Sequence, residues 1–304
     1  MANAAKLALR EPVRMLIVGY PGAGKTGALA SLANAGYKIR LIDFDGNYLP
    51  LLKFTKPEFL PNIDIQTFED KLRSGMKFIE TEGIPTAFAN ALKALDRWKY
   101  TDVDGTEVDL GRSKDWGCDT IVVVDGMTGM GSASFRRVQN MLNKTPLNTT
   151  QQVWGIAMAE QDAFVEKLTS AQNAFHVIVL SHLKMISPKE ASKDAEDGAK
   201  EIARQQMELI PTRLFPSALG HQLPQNIGGH FPTLVLIEPE YKGTTVRRVI
   251  RTIPRPELDI KLPANMPDKL DISDGLAKIF AELAPPLSEC SGKTPLPSGE
   301  GSTS

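Results

Sequence analysis

Met15-Leu-Ile-Val-Gly-Tyr-Pro-Gly-Ala-Gly-Lys-Thr26 is an apolar run that passes straight into a glycine-rich turn. It fits G-x-x-x-x-G-K-[ST], with Gly19, Gly24, Lys25 and Thr26 at the fixed positions. A polyphosphate is densely negative, so many converging N–H donors with little steric bulk hold it best. Glycines let the backbone wrap the phosphates, and the helix that follows directs its positive end at them. Gly19, Tyr20, Pro21, Gly22, Ala23 and Gly24 form the expected nucleotide-binding turn, and Lys25, Thr26 and Gly27 open the helix. Lys25 is placed to reach the β- and γ-phosphates, and the Thr26 hydroxyl to ligate Mg²⁺.

Outward from this loop, strands and helices alternate. Val13–Val18 reads as the first strand, 25–34 as a helix and Ile39–Asp43 as a second strand. Helical periodicity occupies 69–79 and 86–99, and Thr101–Val108 reads as a small hairpin or loop around Asp104-Gly105. Thr120-Ile-Val-Val-Val-Asp125 and His176-Val-Ile-Val-Leu-Ser181 are continuous apolar runs, as strands buried on both faces of a parallel sheet require. Helices are expected at about 131–143 and 151–173. The pattern predicts a doubly wound α/β core. Beyond residue 230 it changes: Thr233–Glu238 and Thr244–Ile253, joined by Pro239-Glu-Tyr-Lys-Gly243, read as an antiparallel hairpin that extends the sheet. A short helix over 273–284 closes a domain of residues 1–284, and the Pro-, Ser- and Gly-rich 285–304 reads as a disordered tail. Gly292-Lys-Thr294 in that tail is a decoy, because it lacks the earlier Gly and Pro295 forbids the helix.

Composition sets limits. Hydrophobic residues make up 42% of the 304, enough for a sizeable core, yet no run approaches the ~18 apolar residues of a membrane span. The N-terminus lacks a signal-peptide apolar stretch, so a cytoplasmic protein is expected. Cys118 and Cys290, far apart, suit a reducing compartment and argue against a disulfide framework or a Cys-based zinc site. A net charge of −1 leaves any nucleic-acid affinity to a local patch.

A phosphate loop needs an acidic partner at a nearby strand end to anchor the Mg²⁺ shell. Asp125 ends its strand and fits that role, the bland alternative being an ordinary turn Asp. Ile42-Asp43-Phe44-Asp45-Gly46 ends the second strand with two carboxylates, of which at most one is expected to activate water. Asp45, nearer the C-terminal edge where ligands of α/β sheets sit, is the candidate base; a turn or cap role is the alternative. His182, after Ser181, can sense a γ-phosphate or be merely structural. His176, His221 and His230 show no metal-ligand spacing.

Two segments are candidates for partners. Tyr241–Arg255 carries Lys242, Arg247, Arg248, Arg251 and Arg255 with no acid. It reads as a DNA-backbone track, as arginines offered across a subunit interface, or as a solvated hairpin face. Residues 184–213 form a long charged excursion of the sort that loops use for function, although its balanced charge argues against simple attraction to DNA.

Together these stretches resemble a RecA-type ATPase core: an α/β, mostly parallel sheet flanked by helices, with a C-terminal antiparallel hairpin. More closely they resemble the phage-encoded ATP-binding proteins of the Sak subfamily, RecA-like proteins associated with recombination and strand annealing. The resemblance rests on Gly19–Thr26, on Ile42-Asp-Phe-Asp45, on Thr120–Thr128 and on Val177–His182. It continues through Phe215-Pro-Ser-Ala-Leu-Gly220 and Phe231, and covers about residues 13–256. Asp45 stands where the family has a Glu as catalytic base, one methylene shorter, which sets efficient hydrolysis in question. The resemblance implies an ATP- and Mg²⁺-dependent homo-oligomer that acts on single-stranded DNA, with a single-strand-binding protein as a further partner. Two other readings stand beside it: a small-molecule P-loop kinase, and a nucleotide-gated module with little turnover.

Overall fold

β1 (Arg14–Val18) is wholly buried from Met15 to Val18, and its side chains alternate between two cores. Leu16 and Val18 belong to one apolar cluster, Met15 and Ile17 to the other. The same alternation runs through Thr120–Asp125, where Val122 and Val124 face one cluster and Ile121 and Val123 the other. A strand with apolar residues on both faces must be covered on both, and here helices supply that cover.

The computed structural model describes residues 11–75, 79–186 and 213–290. The start of the lead-in, most of the charged excursion and the tail with Gly292-Lys-Thr294 therefore lie outside the described residues. The strands are β1; β2 (Lys38–Asp43); β3 (Ile63–Thr67); the hairpins β4 (Leu72–Ser74) with β5 (Ile79–Thr81) and β6 (Arg97–Thr101) with β7 (Glu107–Arg112); β8 (Thr120–Asp125); β9 (His176–Ser181); the pair β10 (Leu183–Ile186) and β11 (Arg213–Pro216); and β12 (Thr233–Lys242), β13 (Thr245–Arg251) and β14 (Lys269–Asp271). Eight of them form one sheet in the order β14-β13-β12-β1-β9-β8-β2-β3. From β12 to β3 neighbours are parallel, and β13 and β14 add antiparallel at one edge. This is an α/β core, a mostly parallel sheet flanked by helices, with a C-terminal antiparallel hairpin extension.

One face is covered by α1 (Lys25–Ala28), α2 (Ala30–Asn34), α3 (Leu49–Phe54) and the helix Gly275–Leu283. The other is covered by α4 (Ala87–Asp96), α5 (Met127–Met141) and α6 (Gln151–Thr169). Leu29 between α1 and α2 keeps helical angles, so the expected 25–34 helix is one rod with an interrupted hydrogen-bond ladder.

Several expectations are corrected. The helix expected over 69–79 is the β4–β5 hairpin: Leu72 and Ile79 are 56% and 66% exposed, so the apolar spacing that read as helical buries nothing. Asp70 is drawn away to accept hydrogen bonds from the Thr86 and Ala87 amides at the start of α4. The expected 86–99 helix stops at Asp96, where Arg97 turns extended and begins β6. Pro239–Lys242 continue β12 rather than forming the connector, and the turn lies at Gly243-Thr244. Leu287–Cys290 form a helical turn where disorder was expected. Cys290 is held there by a disulfide to Cys118, across a sequence separation of 172 residues, against the expectation of two unpaired thiols. Distance along the chain is no guide here, because Leu287 packs into the core next to α2 and carries Cys290 to the loop before β8.

Candidate functional site

The sheet order brings the site together. The strand ending in Asp125 is not the neighbour of the phosphate-loop strand; β9 lies between them and sets Ser181 and His182 between the loop and the acidic residues. Asp125 is directly opposite Asp43 of β2, so three carboxylates, Asp43, Asp45 and Asp125, converge at one sheet edge.

Gly24 caps α1 with φ 100°, a left-handed conformation that side chains other than glycine's adopt at a cost. Gly19 has a different reason: a Cβ there would lie 2.4 Å from the Ile237 carbonyl oxygen of β12. The loop is therefore threaded tightly against the neighbouring strand. Lys25 is nearly buried, and its Nζ donates to the Gly19 and Tyr20 carbonyls at 2.9 and 3.2 Å. It also lies 3.2 Å from His182 Nδ1. Burial lowers the Lys25 pKa, while Asp125 and Asp45 work against that shift.

The Thr26 hydroxyl donates to Asp125 Oδ2 at 2.6 Å. Burial pushes Asp125 up to about 7, with Asp45 and Asp43 adding to the rise and Thr26 and Lys25 opposing it. Burial likewise raises Asp45, assisted by Asp43 and opposed by His182 and Lys25. His182 is lowered, by burial and then by the Lys25 charge. Asp43 is fully buried and taken up by structure: its carboxylate accepts from the Asp45 and Gly46 amides and from Thr67. Of the two carboxylates on this strand end, only Asp45 lines the cavity.

That cavity, of about 610 Å³, is lined by Lys25, Thr26, Asp45, Asp125 and His182. It continues past Gly27 to Pro50, Phe54 and Lys56, and on its other wall to Arg248, Ile272 and Ser273. Sequence reading missed Phe54 and Arg248 as cavity residues. Phe54 belongs to a short helix without a motif, and only the fold lays it over Gly27.

The donors fit magnesium. Thr26 and Asp125 offer hard oxygen ligands side by side, in a carboxylate cluster with excess negative charge. Among the described residues no group of three or more His, Cys, Asp or Glu could hold a metal alone, so phosphate oxygens and water would complete the shell.

The basic run 242–255 is not a free positive patch. Arg247 pairs with Asp271, Arg251 with Glu238 and Glu240, and Arg255 with Glu238. The run has no acid of its own, but the strands on either side supply them. Of Arg247, Arg248, Arg251 and Arg255, only Arg248 has no carboxylate partner among the described residues.

The family AAA_24, an AAA domain, matches residues 11–261. The chain belongs to this AAA family. The AAA domain thus spans the phosphate loop, the acidic strand ends and the β12–β13 hairpin. A comparison with curated proteins finds no match. Among solved structures, the chain is similar to the RadB recombinase at 15% identity and TM-score 0.40, over 79% of this chain and 81% of that one. It is also similar to the flagellar accessory protein FlaH from Methanocaldococcus jannaschii (9%, TM-score 0.35, 86% and 85%). A third is the KaiC-like protein PH0186 from Pyrococcus horikoshii OT3 (9%, TM-score 0.34, 79% and 78%). Likeness of this degree says nothing about activity.

A second cavity, of about 840 Å³, lies between α5, α6 and the 217–222 loop. Trp154, Met158, Lys184 and His221 line it, and no carboxylate does among the described residues. Its wall touches the nucleotide cavity: the Ser217 amide donates to the His182 carbonyl at 2.7 Å, and the Thr128 hydroxyl to Ser217 Oγ at 3.1 Å. The buried Gln161 ties the wall down, donating to the Met127 carbonyl and accepting from the Leu219 amide. No described helix is long and apolar enough to cross a membrane.

Proposed function

We propose that the chain is a Mg²⁺-dependent ATPase that acts on single-stranded DNA, as a homo-oligomer in phage-type recombination or annealing. The observation that carries the ATPase reading is the convergence of Lys25, Thr26, Asp125, Asp45 and His182 on one cavity. Lys25 binds the phosphates, and Thr26 and Asp125 hold magnesium, which when bound neutralises charge developing on the phosphates. Asp45 orients the attacking water and accepts its proton. His182 reads the γ-phosphate and passes its state to Ser217 through the main chain.

The second cavity supports the DNA reading. Trp154 is 41% exposed and packs tilted against Phe135 at a centroid distance of 4.3 Å, an aromatic surface on which an unpaired base can stack. Lys184 adds a cation next to it, with no carboxylate lining the cavity among the described residues. This supports DNA contact beside the loops after Thr128 and His182 rather than on Arg247 and Arg251, whose charges are already met. A single-strand-binding protein is the natural partner for such a substrate, and the host cytoplasm its setting. One observation favours a nucleotide-gated module with slow turnover: Asp45 is one methylene shorter than Glu, and burial raises its pKa, which leaves more of it protonated at acidic pH.

Steady-state ATP hydrolysis with and without single-stranded DNA tests the proposal, with Lys25→Ala as blank. DNA-stimulated turnover that Trp154→Ala removes supports it. Binding of ATP without any DNA effect, even in single-turnover assays, leaves the gated module or a kinase, which a phosphate-acceptor screen separates.

A further inference from the structure

Arg248 is the cation of the hairpin that the fold sends elsewhere. Strand residues alternate in direction, so on β13 Arg248 shares its face with Ile250, which packs in the cluster beneath α1 and the helix Gly275–Leu283. Register fixes how far out it stands. Val18, the last residue of β1, is opposite Leu236, while Arg248 is opposite Pro239, three residues farther along β12. That offset carries the side chain past the end of β1 and over the phosphate loop.

The contacts follow from this placement. Arg248 Nε donates to the Gly22 carbonyl at 3.4 Å, a long bond, and its Cδ lies 2.8 Å from where a Gly24 Cβ would be. With Ile272 and Ser273 it forms the cavity wall over Gly24. The guanidinium is exposed and has no carboxylate partner among the described residues. A guanidinium carries five N–H donors, so one weak bond to Gly22 leaves most of the fork unused. The cavity otherwise meets a polyanion with Lys25, beside Asp45 and Asp125, and with Lys56 at its far end.

We propose that Arg248 binds the phosphates of the nucleotide held by its own chain, closing the hairpin over the loop as a cis clamp. The inference rests on the nucleotide reading of this cavity. It differs from a track for DNA and from an arginine offered to a neighbouring subunit, because the side chain already leans on its own Gly22 and Gly24.

The test is equilibrium binding of a fluorescent ATP analogue to the full chain. Losing one charge-assisted contact raises Kd by about 10- to 100-fold. Arg248→Ala is therefore expected to weaken ATP by about that factor and adenosine hardly at all, with Arg248→Lys recovering part. Arg247→Ala, whose residue pairs with Asp271, is expected to bind as wild type. Circular dichroism of both Arg248 variants checks folding, and the lysine variant carries the test if the alanine variant is unfolded. Wild-type ATP affinity in Arg248→Ala overturns the proposal. So does restoration of its binding by an excess of Lys25→Ala chains, which can lend Arg248 only in trans. If the wild-type chain binds no ATP, the nucleotide reading itself fails and the clamp with it.

Discussion

Replacing His176 with Gln is expected to flatten the acid sensitivity of folding. His176 is fully buried at the start of β9. Its Nδ1 accepts from the Val13 amide at 2.8 Å, and its Nε2 lies 2.7 Å from the Cys118 carbonyl, so the neutral ring with the proton on Nε2 satisfies both. A second proton on Nδ1 would face an N–H donor. Burial, with the Arg14 charge in support and the Cys118 carbonyl and Asp119 in opposition, lowers its pKa from 6.5 to about 4. The unfolded chain takes up that proton near pH 6.5 and the native chain only near 4. Between these values the unfolded state binds more protons, so stability falls as pH falls. Integrated from pH 7 to pH 5, the loss is about 2 kcal/mol. Asp125, raised to about 7, works in the opposite sense, because the native state keeps a proton that the unfolded state releases. The wild-type curve alone is therefore a sum, and the readout is the difference between wild type and His176→Gln. Urea unfolding at both pH values measures it. The advantage of wild type over the variant should shrink by about 2 kcal/mol at pH 5. Parallel changes in the two proteins would refute the reasoning.

Asp45→Asn should keep ATP affinity and lose about 10²- to 10⁴-fold in turnover; unchanged hydrolysis assigns water activation to another group. Replacing Cys118 and Cys290 together by Ser should lower stability to urea by about 2–5 kcal/mol, since the bridge closes a long loop. Thiol titration of the denatured, unreduced chain should find no free cysteine, and two free thiols would remove the bridge from the account.

The phosphate loop, the strands ending in Asp43, Asp125 and Ser181, and the hairpin were legible because each is a local pattern: a fixed motif or an uninterrupted apolar run. Asp45 was singled out over Asp43 by its place nearer the strand's C-terminal edge; it lines the cavity and Asp43 does not. What stayed hidden depends on partners distant in sequence. The arginines of β13 looked unpaired because their carboxylates sit on β12 and β14. Arg248 and Phe54 acquire a place only through register and helix packing. Cys118 and Cys290 meet because a nine-residue helix, Gly275–Leu283, returns the chain to the sheet before α2 and Leu287 anchors it there. Leu72 and Ile79 show the converse, a periodicity without a surface to bury it.

Ser217 lines the second cavity, and its amide bonds to the carbonyl of His182, which lines the first. Ligands that displace one wall are thermodynamically linked, and the linkage is reciprocal. Whatever factor ATP in place of ADP applies to affinity at Trp154, an occupant there applies to the preference for ATP over ADP. On the proposed reading, a strand in that cavity would shift the nucleotide preference by the same factor by which the nucleotide shifts the strand's affinity.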